Sequence, residues 1–238
     1  MAGLCWMAVV LAFSLSAGNT EAMDLGYVTD TAAIILAKCF IDANQFSVAV
    51  NIPKNQDLDT LREISEECKY LITLIGQQDG LYKSSILVAA TPKTTTATNG
   101  NRYTDHAEAR VLDNIEPLAD SSEGKSLFFY SYLSPCGAKC TNPNKNNNIL
   151  KKIDNIPNDR WADSAFVFSN VFDGYTDQNG KYVYFSEGEI RNTLINLGQT
   201  KFGSDNIFRC SFSSTGQIRC IECFINGSTE PVDGCVKN

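Results

Sequence analysis

The chain has one histidine, His106, and an acid two residues after it, in His106-Ala107-Glu108. Further on, two cysteines stand in Ser134-Pro135-Cys136-Gly137-Ala138-Lys139-Cys140. One imidazole and two thiolates form a zinc ligand set, and a fourth position left to water marks a catalytic rather than a closed structural site. Zinc lowers the pKa of its water to about 7, which supplies hydroxide at neutral pH. Glu108 stands beside the ligands in sequence and suits a proton shuttle that does not itself coordinate. Each piece has an ordinary alternative. Cys136 and Cys140 can be a disulfide, His106 an exposed helix-cap residue, and Glu108 a first-turn acid favoured by the helix dipole. Their coincidence is what points to a metal.

These residues need a scaffold. Lys125 to Leu133 (KSLFFYSYL) reads as a buried strand that delivers the cysteine motif, and Pro135 fits the first turn of a helix. Thr104 or Asp105 can cap a helix that runs through Leu118, with Val111, Leu112, Ile115 and Leu118 facing inward. Before this lie a helix from Thr29 to Asn44, with apolar Ile34, Ile35, Ala37 and Cys39, and a strand from Phe46 to Ile52. A second helix runs from Asp57 to Ile75, with Leu61, Ile64, Cys68, Leu71 and Leu74 at helical spacing, and a strand follows from Ser84 to Ala90. After the motif come a strand from Ala165 to Phe172, a helix from Gly188 to Leu197, and a hairpin of Ile207 to Phe212 with Gln217 to Ile225. From residue 84 strands and helices alternate, which predicts an α/β domain on a largely parallel sheet. The polar stretches at 92–101 and 142–148 read as surface loops.

His-x-Glu followed by Pro-Cys and a second cysteine resembles the zinc nucleobase deaminase signature, and through it the cytidine deaminase superfamily. Ser134-Pro135-Cys136-Gly137-Ala138 is similar to the second motif of free-nucleoside cytidine deaminases. The leader and the elaborated N-terminal half resemble the secreted AID/APOBEC-like deaminases. The resemblance implies a three-layer α/β/α sandwich on a five-stranded mixed sheet, with an N-terminal helical elaboration and a Cys-rich C-terminal hairpin. It implies zinc on His106, Cys136 and Cys140, and proton transfer by Glu108 to the ring nitrogen and the leaving ammonia. The Ala107 N–H would hold the base carbonyl and the Ser134 carbonyl the exocyclic amine. Phe172 and Tyr175 fall in the loop that touches the neighbouring nucleotide in AID/APOBEC-like enzymes, where rings can stack on bases; the same segment also reads as a plain turn-rich hairpin. Three features depart from the pattern. The cysteines are spaced Cys-x3-Cys, Leu133 stands where AID/APOBEC-like enzymes carry a tryptophan, and residues 57–75 put a helix where nucleoside deaminases have a hairpin.

Residues Leu4 to Leu15 form an apolar run followed by small residues, which reads as a signal peptide over 1–22, with cleavage after Gly18 or Ala22. No Lys or Arg precedes it. A single deaminase-like domain over 23–238, its core at about 84–200, follows, since roughly 150 residues per domain is usual. No later stretch is apolar enough to span a bilayer. Without Cys5, eight cysteines remain, and in a secreted chain Cys39, Cys68, Cys210, Cys220, Cys223 and Cys235 are disulfide candidates of open connectivity. Cys220-x2-Cys223 also has zinc-ribbon spacing, and Cys39 with Cys68 would join the first two helices. Asn226-Gly227-Ser228 is a glycosylation sequon. The formal net charge of −7 argues against broad capture of nucleic acid. A local basic stretch of Lys139, Lys145, Lys151, Lys152 and Arg160 reads either as a phosphate track or as a solvated face. The expected activity is hydrolysis of cytosine in single-stranded nucleic acid outside the cell, with a defence role that rests on the resemblance alone. Deamination of a free nucleoside and a catalytically silent secreted binding protein stand as alternatives. No residue pattern indicates an oligomeric state.

Overall fold

The computed structural model describes residues 22–238, except 40–44, 55–57, 78, 97, 99, 101, 138, 146–147, 158–159 and 226. All but the last residue of the signal peptide expected over 1–22, and the sequon residue Asn226, therefore lie outside the described residues. In chain order the elements are α1 (Leu25–Lys38), β1 (Ser47–Pro53), α2 (Leu58–Gln77), β2 (Leu81–Lys83), β3 (Leu87–Ala90), β4 (Lys93–Thr96) and β5 (Arg102–Asp105). They continue with α3 (Ala107–Leu112), α4 (Glu116–Asp120), β6 (Lys125–Leu133), α5 (Ile149–Asp154), β7 (Ser164–Asn170), β8 (Gly174–Thr176) and β9 (Tyr182–Tyr184). The last are α6 (Glu187–Gly198), a 3-10 turn at Ser204–Asn206, β10 (Ile207–Phe212), β11 (Ile218–Glu222) and α7 (Asp233–Val236).

A seven-stranded mixed sheet, ordered β11-β10-β7-β6-β1-β3-β2, is the middle layer. β6, β7 and β10 run parallel, while β1 is antiparallel to both β6 and β3. Strand parity decides what each side chain packs on, because alternate residues point to opposite faces. Val48, Val50, Ile52, Phe128 and Tyr130 pack in one cluster with the buried residues of α1 and α2. Ala49, Leu127 and Phe129 pack in the other, with α3, α5 and α6. The expected α/β/α sandwich and its N-terminal helical layer are present. The sheet is wider than five strands because β10 pairs with β7, which brings its hairpin partner β11 into the sheet at one edge, while β2 extends the other.

Several boundaries differ from expectation for local reasons. Asp24 accepts the Tyr27 N–H at 2.9 Å, so α1 starts earlier than Thr29, and Ala37 faces solvent. Ser84 accepts the N–H groups of Ile86 and Leu87 and holds a turn, so β3 begins only at Leu87. Part of the polar 92–101 stretch is strand: the threonines of β4 pair with β5 across a turn in which Gly100 has φ +81°. Thr104 and Asp105 are thus strand residues and His106 is the N-cap of α3. The single helix expected through Leu118 breaks after Leu112, since Pro117 cannot continue an interior helix and instead occupies the first turn of α4. Three disulfides staple the fold: Cys39–Cys68, Cys210–Cys220 and Cys223–Cys235. Among the described residues no helix is long and apolar enough to cross a membrane.

Candidate metal centre

The centre sits at the carboxyl ends of β6 and β7, the edge at which open α/β sheets place their ligands. β6 leads directly into Ser134, whose N–H donates to the Asn170 carbonyl at the end of β7 (2.8 Å). Pro135 does not start a helix. Thr141 N–H instead closes a wide turn onto the Cys136 carbonyl at 3.1 Å, five residues back, and Cys140 N–H donates to Cys136 Sγ at 3.4 Å. The extra residue between the cysteines widens the turn, and Pro143 opposes a helix beyond it. Gly137 is required here, because a Cβ would lie 2.6 Å from Thr193 Oγ1 of α6. A helix resumes at α5, where the Asn148 side chain accepts the Lys151 N–H.

From the other side, α3 packs against β1 and β3 and presents its N-cap. His106 has extended backbone (φ −74°, ψ 152°) and spends no side-chain bond on the helix, so its ring is free to face the cysteines. His106 Nδ1 lies 3.0 Å from Cys140 Sγ and 3.7 Å from Cys136 Sγ, and one donor atom from each residue fits within 4.8 Å of the others. A tetrahedral zinc ion, with Zn–S about 2.3 Å and Zn–N about 2.0–2.1 Å, needs donors roughly 3.5–3.8 Å apart. The set fits such an ion after small side-chain adjustments.

Glu108, on the first turn of α3, is 2% exposed. Its Oε1 accepts from Gln45 Nε2 and Ser131 Oγ, both at 3.2 Å. Its Oε2 is buried with no hydrogen-bond partner. A buried oxygen left unpaired is costly and marks a place where a further group belongs. Burial pushes the Glu108 carboxyl above the ordinary carboxylate range. The Cys136 thiol is lowered to about 4, first by its bond with Cys140 and then, against burial, by His106. Cys140 is raised, as the partner that keeps the proton and as a buried group. His106 is raised by its contact with Cys136, against burial. The pair is poised to hold one thiolate facing an imidazole.

The remaining expected site residues fall around this centre. Ala107 is buried as the first residue of α3, and Ser134 is buried with its Oγ accepting the Phe172 N–H at 2.9 Å. Phe172 lines a cleft of about 220 Å³ with Ser134, Pro135, Gly137, Phe185 and residues of α6. Tyr175 is half exposed on the β8–β9 hairpin, its ring 5.8 Å from that of Phe185. The segment is a hairpin, as the plain reading has it, and its Tyr175 ring packs beside Phe185. On the other side of the centre, Tyr103, His106, Lys139, Cys140 and Lys145 line a cleft of about 430 Å³. The basic stretch divides: Lys139 and Lys145 line this cleft, whereas Lys152 pairs with Asp113 and Arg160 with Asp120. Sequence reasoning passed over Gln45, Ser47 and Ser131. A usable signal was Ser131 interrupting the run Leu127–Leu133, on the same parity as Leu127 and Phe129.

A mixed sheet between two helical layers thus carries a His–Cys–Cys donor set able to hold a metal, with a buried glutamate beside it. The model of the family Secreted Novel AID/APOBEC-like Deaminase 1 matches residues 34–226, and the chain belongs to that family. No curated protein and no solved structure matches it.

Proposed function

We propose that the chain is a secreted, zinc-dependent deaminase that hydrolyses cytosine to uracil in single-stranded nucleic acid. The observation that carries the reading is the buried Glu108 with its unpaired Oε2 beside a His106–Cys136–Cys140 set with the spacing of a metal site. When bound, zinc supplies the Lewis acidity that makes water a nucleophile near neutral pH. The protein's own residues do the rest. Glu108, whose Oε1 is held by Gln45 and Ser131, takes a proton from the attacking water and delivers it to the ring nitrogen, then carries the proton of the new hydroxyl to the leaving amino group, which departs as ammonia. The Ala107 N–H, one of the first-turn donors that a helix leaves unpaired, holds the base carbonyl. The Ser134 carbonyl accepts from the exocyclic amine. Phe172, Phe185 and Tyr175 offer faces for a neighbouring base, and Lys139 with Lys145 offers charge for a phosphate. Secretion is supported by the apolar leader over 1–22 and by three disulfides.

Zinc content of protein purified from culture medium, with cytidine and single-stranded DNA and RNA oligonucleotides as substrates, tests this reading. About one zinc per chain, and cytosine loss that disappears in Glu108→Ala, are expected. A metal-free protein with Cys136 joined to Cys140, or an equal outcome for wild type and Glu108→Ala on every substrate, sinks it. The small volume of the cleft at Ser134 and Phe172, about 220 Å³, favours a second reading, deamination of a free nucleoside, and activity on cytidine but on no oligonucleotide would select it.

A further inference from the structure

We propose that Gln45 is a positioning residue for Glu108. It clamps one carboxylate oxygen so that the other stays free for proton transfer. The proposal rests on the deaminase reading above and adds a residue to it.

The argument starts from strand register. β1 and β6 are antiparallel with Ser47 opposite Ser131, and the Tyr132 N–H donates to the Phe46 carbonyl at 2.9 Å. Gln45 therefore stands opposite Leu133, on the parity that also carries Ser47 and Ser131. Farther along the same face the paired residues are Ala49 and Phe129, which pack in the apolar cluster beneath α3. Beyond this apolar pair the face turns polar again as it reaches Glu108, as it does at the other end, where Asn51 binds the Leu118 carbonyl and Trp161. Around Glu108 the groups form one network. The Gln45 amide nitrogen donates to Glu108 Oε1 (3.2 Å) and to Ser131 Oγ (2.9 Å). The Gln45 amide oxygen accepts the Leu133 N–H at 2.8 Å. Ser131 Oγ in turn donates to Glu108 Oε1, and Ser47 Oγ donates to Ser131 Oγ, both at 3.2 Å. The bonds from Gln45 and Ser131 both end on Oε1, the others brace those two donors, and none reaches Oε2.

A carboxylate held by one oxygen has its rotation fixed, and only the other oxygen can meet a reacting group. The amide is suited to this task. Its oxygen anchors on the backbone of the strand that leads to Ser134 and Cys136, and its nitrogen holds the acid on α3. Gln45 thereby sets the distance between the two motifs. Positioning groups of this kind typically contribute about 10–100-fold to activity.

The test uses the full secreted, zinc-loaded chain with two readouts, steady-state kinetics and thermal unfolding. Gln45→Glu keeps an oxygen for the Leu133 N–H but removes the donor to Glu108. It should lower kcat by about 10–100-fold, with KM and zinc content unchanged. It should also lower the unfolding midpoint by at least about 2–4 °C. The exchange Gln45→Glu/Glu108→Gln restores a donor–acceptor pair, so it should recover most of that midpoint while remaining inactive. This non-additivity is the mark of direct contact. Should Gln45→Glu fail to accumulate, Gln45→Leu and Ser131→Ala serve instead. Each should lower kcat, and together they should lower it by less than the product of the two. Additive midpoints, or a change in KM in place of kcat, overturn the assignment to Gln45. A wild type inert on every cytosine substrate overturns the deaminase reading itself, a different result from an active wild type with additive midpoints.

Discussion

Eight cysteines lie in the described part of the chain, and they behave in two ways. At the C-terminal end Cys210 and Cys220 are register partners on β10 and β11, and Cys223 meets Cys235 of α7. In each case sulfur faces sulfur across two separate pieces of backbone. Cys136 and Cys140 are the free cysteines, one wide turn apart, and each faces His106 Nδ1. The difference lies in the third partner. Stapled cysteines have none to share, while the free pair shares an imidazole with a buried acid behind it. In an oxidising compartment, two buried thiols this close invite a disulfide unless something else takes up their lone pairs. A bound metal is what we propose keeps the two kinds of cysteine apart.

The largest effect should come from erasing that difference. Cys136→Ser removes one of three donors, so zinc should fall from about one per chain to background, along with all deamination. Retained zinc would mean that the metal sits elsewhere. Next is Glu108→Ala, which leaves the donors in place. Here kcat should fall by about 10²–10⁴-fold with zinc content unchanged, the range for a lost acid–base group. A loss of metal in parallel would make Glu108 a ligand instead of a shuttle. The converse change, Cys223→Ala/Cys235→Ala, acts on the other region. It should cost about 2–5 kcal/mol of stability in a denaturant titration. Zinc content and KM should stay as they were, because the staple touches no donor. Zinc loss at equal folded fraction would mean that this staple, which shares an apolar cluster with Cys136 and Cys140, supports the centre.

The sequence made the two regions legible to different depths. The donors were readable because their types are scarce: with one histidine, its pairing with Glu108 and the two cysteines is hard to reach by chance. β6 and β7 were readable as long apolar runs. The pairing of the six stapled cysteines was not, since connectivity depends on which strands become neighbours, and β10 joins β7 over a gap of some forty residues. The local shape of the motif was also hidden. Pro135 signals a helix start, but the wide Cys136–Thr141 turn wins because of the added residue, Gly137 under α6, and Pro143. Gln45 was the least visible. It follows another polar residue, Asn44, just ahead of a strand, and its meaning comes only from a register that sets it opposite Leu133.

The smallest expected shift probes the acid behind the free pair. Burial raises the Glu108 carboxyl in the folded chain above its value of about 4.3 when unfolded. The folded state then binds the proton more tightly than the unfolded state does. The stabilising contribution is fully present below about pH 4, and it is lost as pH rises through the folded value. Glu108→Gln cannot titrate. In metal-free protein handled without oxygen, the variant and the wild type should have similar unfolding midpoints near pH 4. The variant should become the more stable as pH rises to 7. A gap that is independent of pH, or one that favours wild type at neutral pH, would mean that Gln45, Ser131 and His106 compensate the buried charge fully. In that case the cost of keeping this acid would not be what distinguishes the free pair from the stapled ones.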